Sequence, residues 1–271
     1  MSSIQQNPSN SNFWTKLNLF QKYFLIIFII ISILSFFIPL LTGSSFKSLF
    51  DIISIIGLIS GIAGVFASIY QARGEVKMYP FLLINTVIYG IISYTFNDYG
   101  QVIQQFLFLV PIQVYGWFAW SKHMKEKSRS NSLSEHVSIK NFTVFKWVIV
   151  IIIALIAWLC YYDFLVALPE IFKNLFSMTI APDPAPALDS LTTILIVFAM
   201  ILTSLRYLEQ WHFWVASNIG LVIFLYQLVT ASNLTVATIT GNLYNMISWA
   251  QYGVGSVYGL YLWSKMKKET K

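Results

Sequence analysis

Eight apolar runs, each close to the length that crosses a bilayer, dictate what this chain can become. They cover roughly 23–41, 51–71, 79–96, 101–120, 144–164, 190–205, 211–230 and 236–263. About 20 helical residues cross the ~30 Å of hydrocarbon, and inside lipid every backbone N–H and C=O must be paired within the protein. The runs are therefore read as transmembrane helices. The last is long enough that its first turns are read as a loop or a tilted extension. Charged residues make up only 10% of the 271, against about a quarter in soluble domains. A net charge of +6 would suit nucleic acid, but the basic residues sit at run ends rather than in a patch, which argues for a membrane and against that partner. The first run follows Lys16 and Lys22. Its apolar stretch exceeds the 7–15 residues of a signal peptide and no A-x-A site follows, so it is read as a retained helix.

Eight crossings put both termini on one side, and Lys and Arg decide which. Fifteen fall on the side of the termini: Lys16, Lys22, Arg73, Lys77, Lys122, Lys125, Lys127, Arg129, Lys140, Lys146, Arg206, Lys265, Lys267, Lys268 and Lys271. Only Lys47 and Lys173 fall on the other. Both termini are expected in the cytoplasm.

Nearly the same octet occurs twice. Tyr115-Gly116-Trp117-Phe118-Ala119-Trp120-Ser121-Lys122 returns as Tyr258-Gly259-Leu260-Tyr261-Leu262-Trp263-Ser264-Lys265, each copy closing an apolar run before basic residues. Runs two to four and six to eight then form two triplets, separated by the fifth run. One helix between two three-helix units makes them parallel repeats about an axis normal to the membrane, a SWEET-like arrangement. Aligning Asn85 with Asn218 pairs Met78 with Trp211 and Phe81 with Trp214. Expected boundaries are a tail over 1–22, an extra N-terminal helix over 23–41, a first bundle over 51–120 and a basic cytoplasmic linker over 121–143. A linking helix over 144–164, an external loop over 165–189, a second bundle over 190–263 and a basic tail over 264–271 complete the chain. Pro169 and the Pro182-Asp183-Pro184-Ala185-Pro186 stretch are expected to end any helix there, leaving an interfacial segment over Ile171–Ile180. The region 236–245, with Thr238, Thr240, Gly241 and Asn242, reads as loop or helix-start material.

Polar side chains within such runs are costly, so their positions carry information. Trp211, Trp214 and Asn218 stand at i, i+3 and i+7 and share one helix face. Two indoles and an amide form a wall for a flat, partly polar ring, and a cationic ring would gain ~0.5–2 kcal/mol from each indole. Asn85 and Tyr89 share a face in the third run, Gln101 and Gln105 in the fourth, with Gln104 beside them. Asn245, Ser248 and Tyr252 form a stripe in the eighth. Amides on facing helices can also act as packing glue, but four stripes, two per triplet, point to a shared polar cavity. Asp189 is expected to cap an external helix. No chain of Asp, Glu or His crosses the runs, which favours uniport over proton coupling. No P-loop, buried nucleophile with a base, or paired carboxylates suggests an enzyme, and no catalytic residue is assigned. Cys160 is expected to be a small buried apolar residue, and no Cys/His cluster implies a metal.

With these residues in view, the chain resembles the PnuC family of nicotinamide riboside transporters. The resemblance runs through Ile52–Trp120, including Asn85 and Tyr115-Gly116-Trp117. It resumes through Asp189–Gln227, including Arg206-Tyr207-Leu208-Glu209 and Trp211-His212-Phe213-Trp214 with Asn218. It implies an all-α SWEET-like membrane protein in the bacterial inner membrane, two three-helix bundles with a linking helix, and a homotrimer. It implies facilitated import of a vitamin-like small molecule without a cofactor, trapped by a separate cytoplasmic kinase. The family's Trp and Asn roles fall on Trp211, Trp214 and Asn218, with Asn85, Gln101 and Gln105 beside them. The longer run around Gly241–Asn245 departs from the pattern. Relatives carry nicotinamide riboside, thiamine, riboflavin or deoxynucleosides, so the cargo stays open among these; a membrane scaffold is the reading from another class.

Overall fold

In a computed structural model, the described residues are 13–41, 45–95, 99–129, 138–183, 185–221 and 236–269. Among them there is no strand. One isolated parallel bridge joins Lys140 to Tyr207, and everything else regular is helical. Six helices are long and apolar enough to cross a membrane. They are α1 (Leu19–Phe36), α2 (Ile52–Ala72), α3 (Met78–Thr95), α4 (Tyr99–Ile103, Gln104–Leu109 and Val110–Arg129 in unbroken succession), α5 (Val144–Phe176) and α6 (Pro186–Ser204). Two more come after them, α7 (Gln210–Ser217) and α8 (Val236–Glu269). The seventh expected run continues from α7 into residues that lie outside the described ones.

Local sequence explains the helix ends. A capping box starts α1, with Asn18 Oδ1 accepting the Gln21 N–H at 2.9 Å and Gln21 Oε1 accepting the Asn18 N–H at 3.1 Å. The helix therefore begins at Leu19, four residues before the expected start. Thr143 caps α5, accepting the Lys146 N–H at 3.4 Å. Pro186 opens α6, where proline's missing N–H costs nothing. Asp189 lies in the first turn of α6 and is not its N-cap, which is Ala185; an acid one turn in still favours the positive helix end.

Two expectations change. The linking helix does not stop at Phe164 but runs as α5 through Pro169 to Phe176, 33 residues and about 50 Å long. The interfacial segment at Ile171–Ile180 is therefore largely its continuation. Leu165 and Leu168, just before the proline, are buried with Tyr161 against Ile194 of α6, so packing holds the helix where one hydrogen bond is lost. Cys160 is exposed on α5 rather than buried. Of the two readings of 236–245 the helix start holds, since the residues are helical from Val236 onward. The start of the basic linker is also helical, since α4 extends to Arg129.

The two triplets are cross-braced. The last helix of each packs on the first helix of the other, α4 on α6 and α8 on α2. Their turns match hydrogen bond for hydrogen bond. Gly74 donates to Gln71 O as Arg206 does to Thr203 O, Glu75 to Tyr70 O as Tyr207 to Leu202 O, and Tyr79 to Val76 O as Trp211 to Leu208 O. Gly74 and Arg206 both adopt φ 67°. The turns thus set Tyr79 opposite Trp211, one residue from the expected Met78 match. The positive φ fixes the register here, and a pairing anchored on asparagines alone slips past it. The added helix α1 packs along α2, held by Asn18 Nδ2 donating to Tyr258 Oη at 2.7 Å and Arg73 donating to Lys16 O at 2.6 Å.

Candidate functional site

Near the middle of α2, a stripe of small residues lets polar groups from three helices converge. Ser60, Gly64 and Ser68 recur every four residues and face one way. Asn85 of α3 donates from Nδ2 to Ser60 O and Oγ, both at 3.0 Å, and its Oδ1 accepts from Tyr252 Oη of α8 at 2.8 Å. A Cβ on Gly64 would stand 2.8 Å from Tyr252 Oη, 3.3 Å from Gln251 Nε2 and 3.4 Å from Asn85 Nδ2. Gly64 is the floor of this cluster because no larger residue fits. Asn218, at the end of α7, donates from Nδ2 to Trp214 O at 2.7 Å. Its Oδ1 lies 3.0 Å from where a Cβ on Gly253 of α8 would be.

A second polar layer lies two turns along α2, about 10 Å nearer the basic end. Gln71 of α2 donates to Thr203 Oγ1 and Gln210 Oε1, both at 3.4 Å. Thr203 donates to Gln210 Oε1 at 2.5 Å, and Trp214 Nε1 donates to Thr203 Oγ1 at 3.2 Å. Gln71, Thr203 and Gln210 are buried, so α2, α6 and α7 are tied by one network with Trp214 above it. Farther along α4, Gln113 donates to Thr86 Oγ1 at 2.8 Å.

Several groups remain unspent. Gln251 Nε2, Asn218 Oδ1, Gln113 Oε1 and Trp211 Nε1 are buried without a hydrogen-bond partner. An unpaired buried group costs about 1–3 kcal/mol and folded proteins satisfy nearly all of them. Gln251 Nε2 lies at Gly64 and Asn218 Oδ1 at Gly253, where a polar ligand or water would complete the set; Trp211 Nε1 and the Tyr79 hydroxyl are unpaired at the basic end. Among the described residues of α2, α3, α6 and α8 around these layers, no Lys, Arg, Asp, Glu or His intrudes. Charge gathers at the basic end, where Glu209 accepts the Phe142 N–H at 2.8 Å. There burial lowers the Arg206 guanidinium, with Tyr79, Glu126 and Tyr115 opposing.

The residues expected to line a cavity do not all meet. Asn85 and Tyr252 touch directly. Trp214 and Asn218 border the cluster from α7, while Trp211 is buried on the basic side, its ring against Gly259 and edge-on to Trp263 at 5.8 Å. Gln105 is buried in a π-helical turn of α4 beside Gly90. Its neighbour Gln104 reaches α6, accepting from Thr193 Oγ1 at 3.0 Å. Gln101 and Tyr89 are half-buried, as is Ser248 one turn before Tyr252. The side chain of Asn245 lies outside the described residues. Ser60, Gly64, Gln71, Thr203, Gln210 and Gln251 do not stand out in the sequence. The small-residue spacing Ser60–Gly64–Ser68 is the available signal.

The family model described as nicotinamide mononucleotide transporter matches residues 51–265, from the start of α2 into the last turns of α8. The chain belongs to that family. It is a multi-pass membrane transporter and not an enzyme. Curated relatives in the family include the nicotinamide riboside transporter PnuC of Haemophilus influenzae, 31% identical over 79% of this chain and 81% of its own length. That of Neisseria mucosa is 29% identical over 78% of this chain and 72% of its own length. A solved structure described as the vitamin B3 transporter PnuC superposes with a TM-score of 0.69 over 95% of both chains, at 24% identity. The fold of the family is therefore shared, while α1 precedes the residues the family model covers.

Proposed function

We propose that this chain imports nicotinamide riboside across the bacterial inner membrane as a uniporter, both termini cytoplasmic. The naming of its relatives supports the substrate. The observation that carries the reading is the unpaired buried Gln251 Nε2 and Asn218 Oδ1 beside the Asn85–Tyr252 contact that joins the two triplets. The pyridinium ring stacks on Trp214, and the carboxamide and ribose hydroxyls engage Asn218, Asn85 and Gln251. Two parallel three-helix bundles, joined by α5, rock about this site to expose it alternately. Phosphorylation by a separate cytoplasmic kinase traps the cargo, and three copies associate through lipid-facing helices. The cluster around Gly64 holds no carboxylate or histidine among the described residues, which favours uniport.

Uptake of labelled nicotinamide riboside into proteoliposomes tests this, with and without a proton gradient. Saturable, gradient-independent uptake is expected, reduced at least tenfold in Trp214→Ala and Asn218→Ala. Gradient-driven accumulation would sink the uniport reading, and unchanged uptake by both variants would sink the site. Thymidine and thiamine as competitors decide the cargo.

A further inference from the structure

The repeated octets end in a device that the transport reading does not assign. Trp120 and Trp263, the sixth residues of the two copies, are both fully buried. Trp120 of α4 donates its indole N–H to Thr203 O at 3.0 Å and Ser204 O at 3.1 Å, the last carbonyls of α6. Trp263 of α8 donates to Gln71 O at 3.3 Å and Ala72 O at 3.1 Å, the last carbonyls of α2. Each triplet thus caps the first helix of the other. The final carbonyls of a helix lack a partner within it; Gln71 O and Thr203 O already accept the turn N–H groups of Gly74 and Arg206, so each indole adds a second bond there and supplies the partner of Ala72 O or Ser204 O. The rings lie 6.3 Å apart. Each meets a second aromatic edge-on from its own triplet, Tyr79 against Trp120 at 5.6 Å and Trp211 against Trp263 at 5.8 Å. Four aromatic rings close the basic end of the space between the triplets, beneath the Gln71–Thr203–Gln210 layer.

We infer that Trp120 and Trp263 are a reciprocal latch that holds the basic-end gate shut, and that opening toward that side requires both indoles to release. The inference rests on alternating access by the two bundles. The four bonds cross between the bodies that would separate, so they are broken by that motion and by no motion within a bundle. The latch is balanced rather than locked. Closed, it bonds four carbonyls, two of which also hold a turn N–H, yet it buries Trp211 Nε1 without a partner, and the Tyr79 hydroxyl beside Ser204 makes no hydrogen bond of good geometry. Opening bares Ala72 O and Ser204 O and hydrates the inner pair. Thr203 joins the latch to the site, because its carbonyl accepts from Trp120 while its hydroxyl accepts from Trp214. A ring moving on Trp214 therefore pulls on the residue the latch grips.

The test uses the full-length protein with Cys160→Ala, which removes the one native cysteine, and Ser204→Cys as a near-isosteric reporter under the latch. Inside-out vesicles are treated with a membrane-impermeant maleimide. Trp120→Phe and Trp263→Phe keep a ring and lose the N–H. Each is expected to speed labelling by roughly five- to tenfold, the shift that loss of one net hydrogen bond implies, and the pair more than either. Labelling at the background rate in all three variants overturns the latch. If the double variant does not yield folded protein by gel filtration, the two single variants decide the matter by the same comparison. The background protein is also labelled with and without nicotinamide riboside. A rate that ignores the riboside counts against the transport reading, whereas the latch stands or falls on the Phe-to-Trp ratio alone.

Discussion

Gly259 is the position where a single atom would do most harm. A Cβ there would lie 2.2 Å from the nearest carbon of the Trp211 ring, 2.3 Å and 2.5 Å from the next two. That ring cannot swing away, because Trp263 stands edge-on behind it. Gly259→Ala should overpack the joint by about 1–3 kcal/mol and lower the melting temperature in detergent by several degrees. Gly255→Ala on the same helix is the comparison, since its nearest neighbour would be Ser68 Cβ at 3.3 Å, a contact that relaxes within a few tenths of an ångström. A Gly255 variant that melts lower than the Gly259 variant would refute this ranking. At this scale the sequence discloses amides best. Asn85 and Tyr252 stand out because an amide or phenol inside an apolar run demands a partner, and they prove to be each other's. Gly64 and Ser60 stay hidden because small residues are common in membrane helices for packing alone. Gln251 stays hidden because it is adjacent to the Ser248–Tyr252 stripe rather than on it, and its meaning depends on what α2 presents.

Among the elements, α4 holds the least regular backbone. Its turn at Gln104–Leu109 is π-helical, and the Val110 N–H reaches back to Gln105 O. Pro111 comes next, and its missing N–H would otherwise bind Leu107 O in a regular ladder. The widened turn absorbs that gap, and such turns often sit at functional sites. It also carries Gln105 inward and aims Gln104 at Thr193. Pro111→Ala restores the donor and lets the ladder close, turning the Gln104–Gln105 segment by about 100° relative to the rest of α4. Riboside affinity by calorimetry should then fall several-fold while the melting temperature holds or rises; unchanged affinity would separate the turn from the site. Helix existence is legible here because lipid requires long apolar runs, and six of them form helices long enough to span. The π turn is not, since six residues are too few to tell one helical period from another. Pro169 misleads for a related reason. A proline's cost is local and visible in sequence, whereas the burial of Leu165 and Leu168 that offsets it is tertiary.

At the scale of the whole molecule, duplication is visible in the octets, but cross-bracing is not. Two similar segments say that a unit was copied; they do not say that each copy's tryptophan serves the other's helix. The same tertiary closure decides what cargo the site tolerates. The family's description names the mononucleotide, whereas the curated relatives are named for the riboside, and the two differ by one phosphate. That phosphate carries nearly two negative charges at neutral pH. Among the described residues, Arg73 and Arg206 sit in the turns two and three residues beyond Gln71 and Thr203, and no Lys or Arg lies at the layer around Gly64. A buried anion without a partner costs several kcal/mol even after relaxation, and neither the amides nor the Tyr252 hydroxyl brings a full positive charge to offset it. The mononucleotide should therefore bind at least about a thousandfold more weakly than the riboside, the ratio that ~4 kcal/mol implies. Competition against labelled riboside on purified protein measures this directly. Equal competition would mean that a cation reaches the bound phosphate, and the charge-free polar cluster around Gly64 would have to be abandoned as the proposed site of transport.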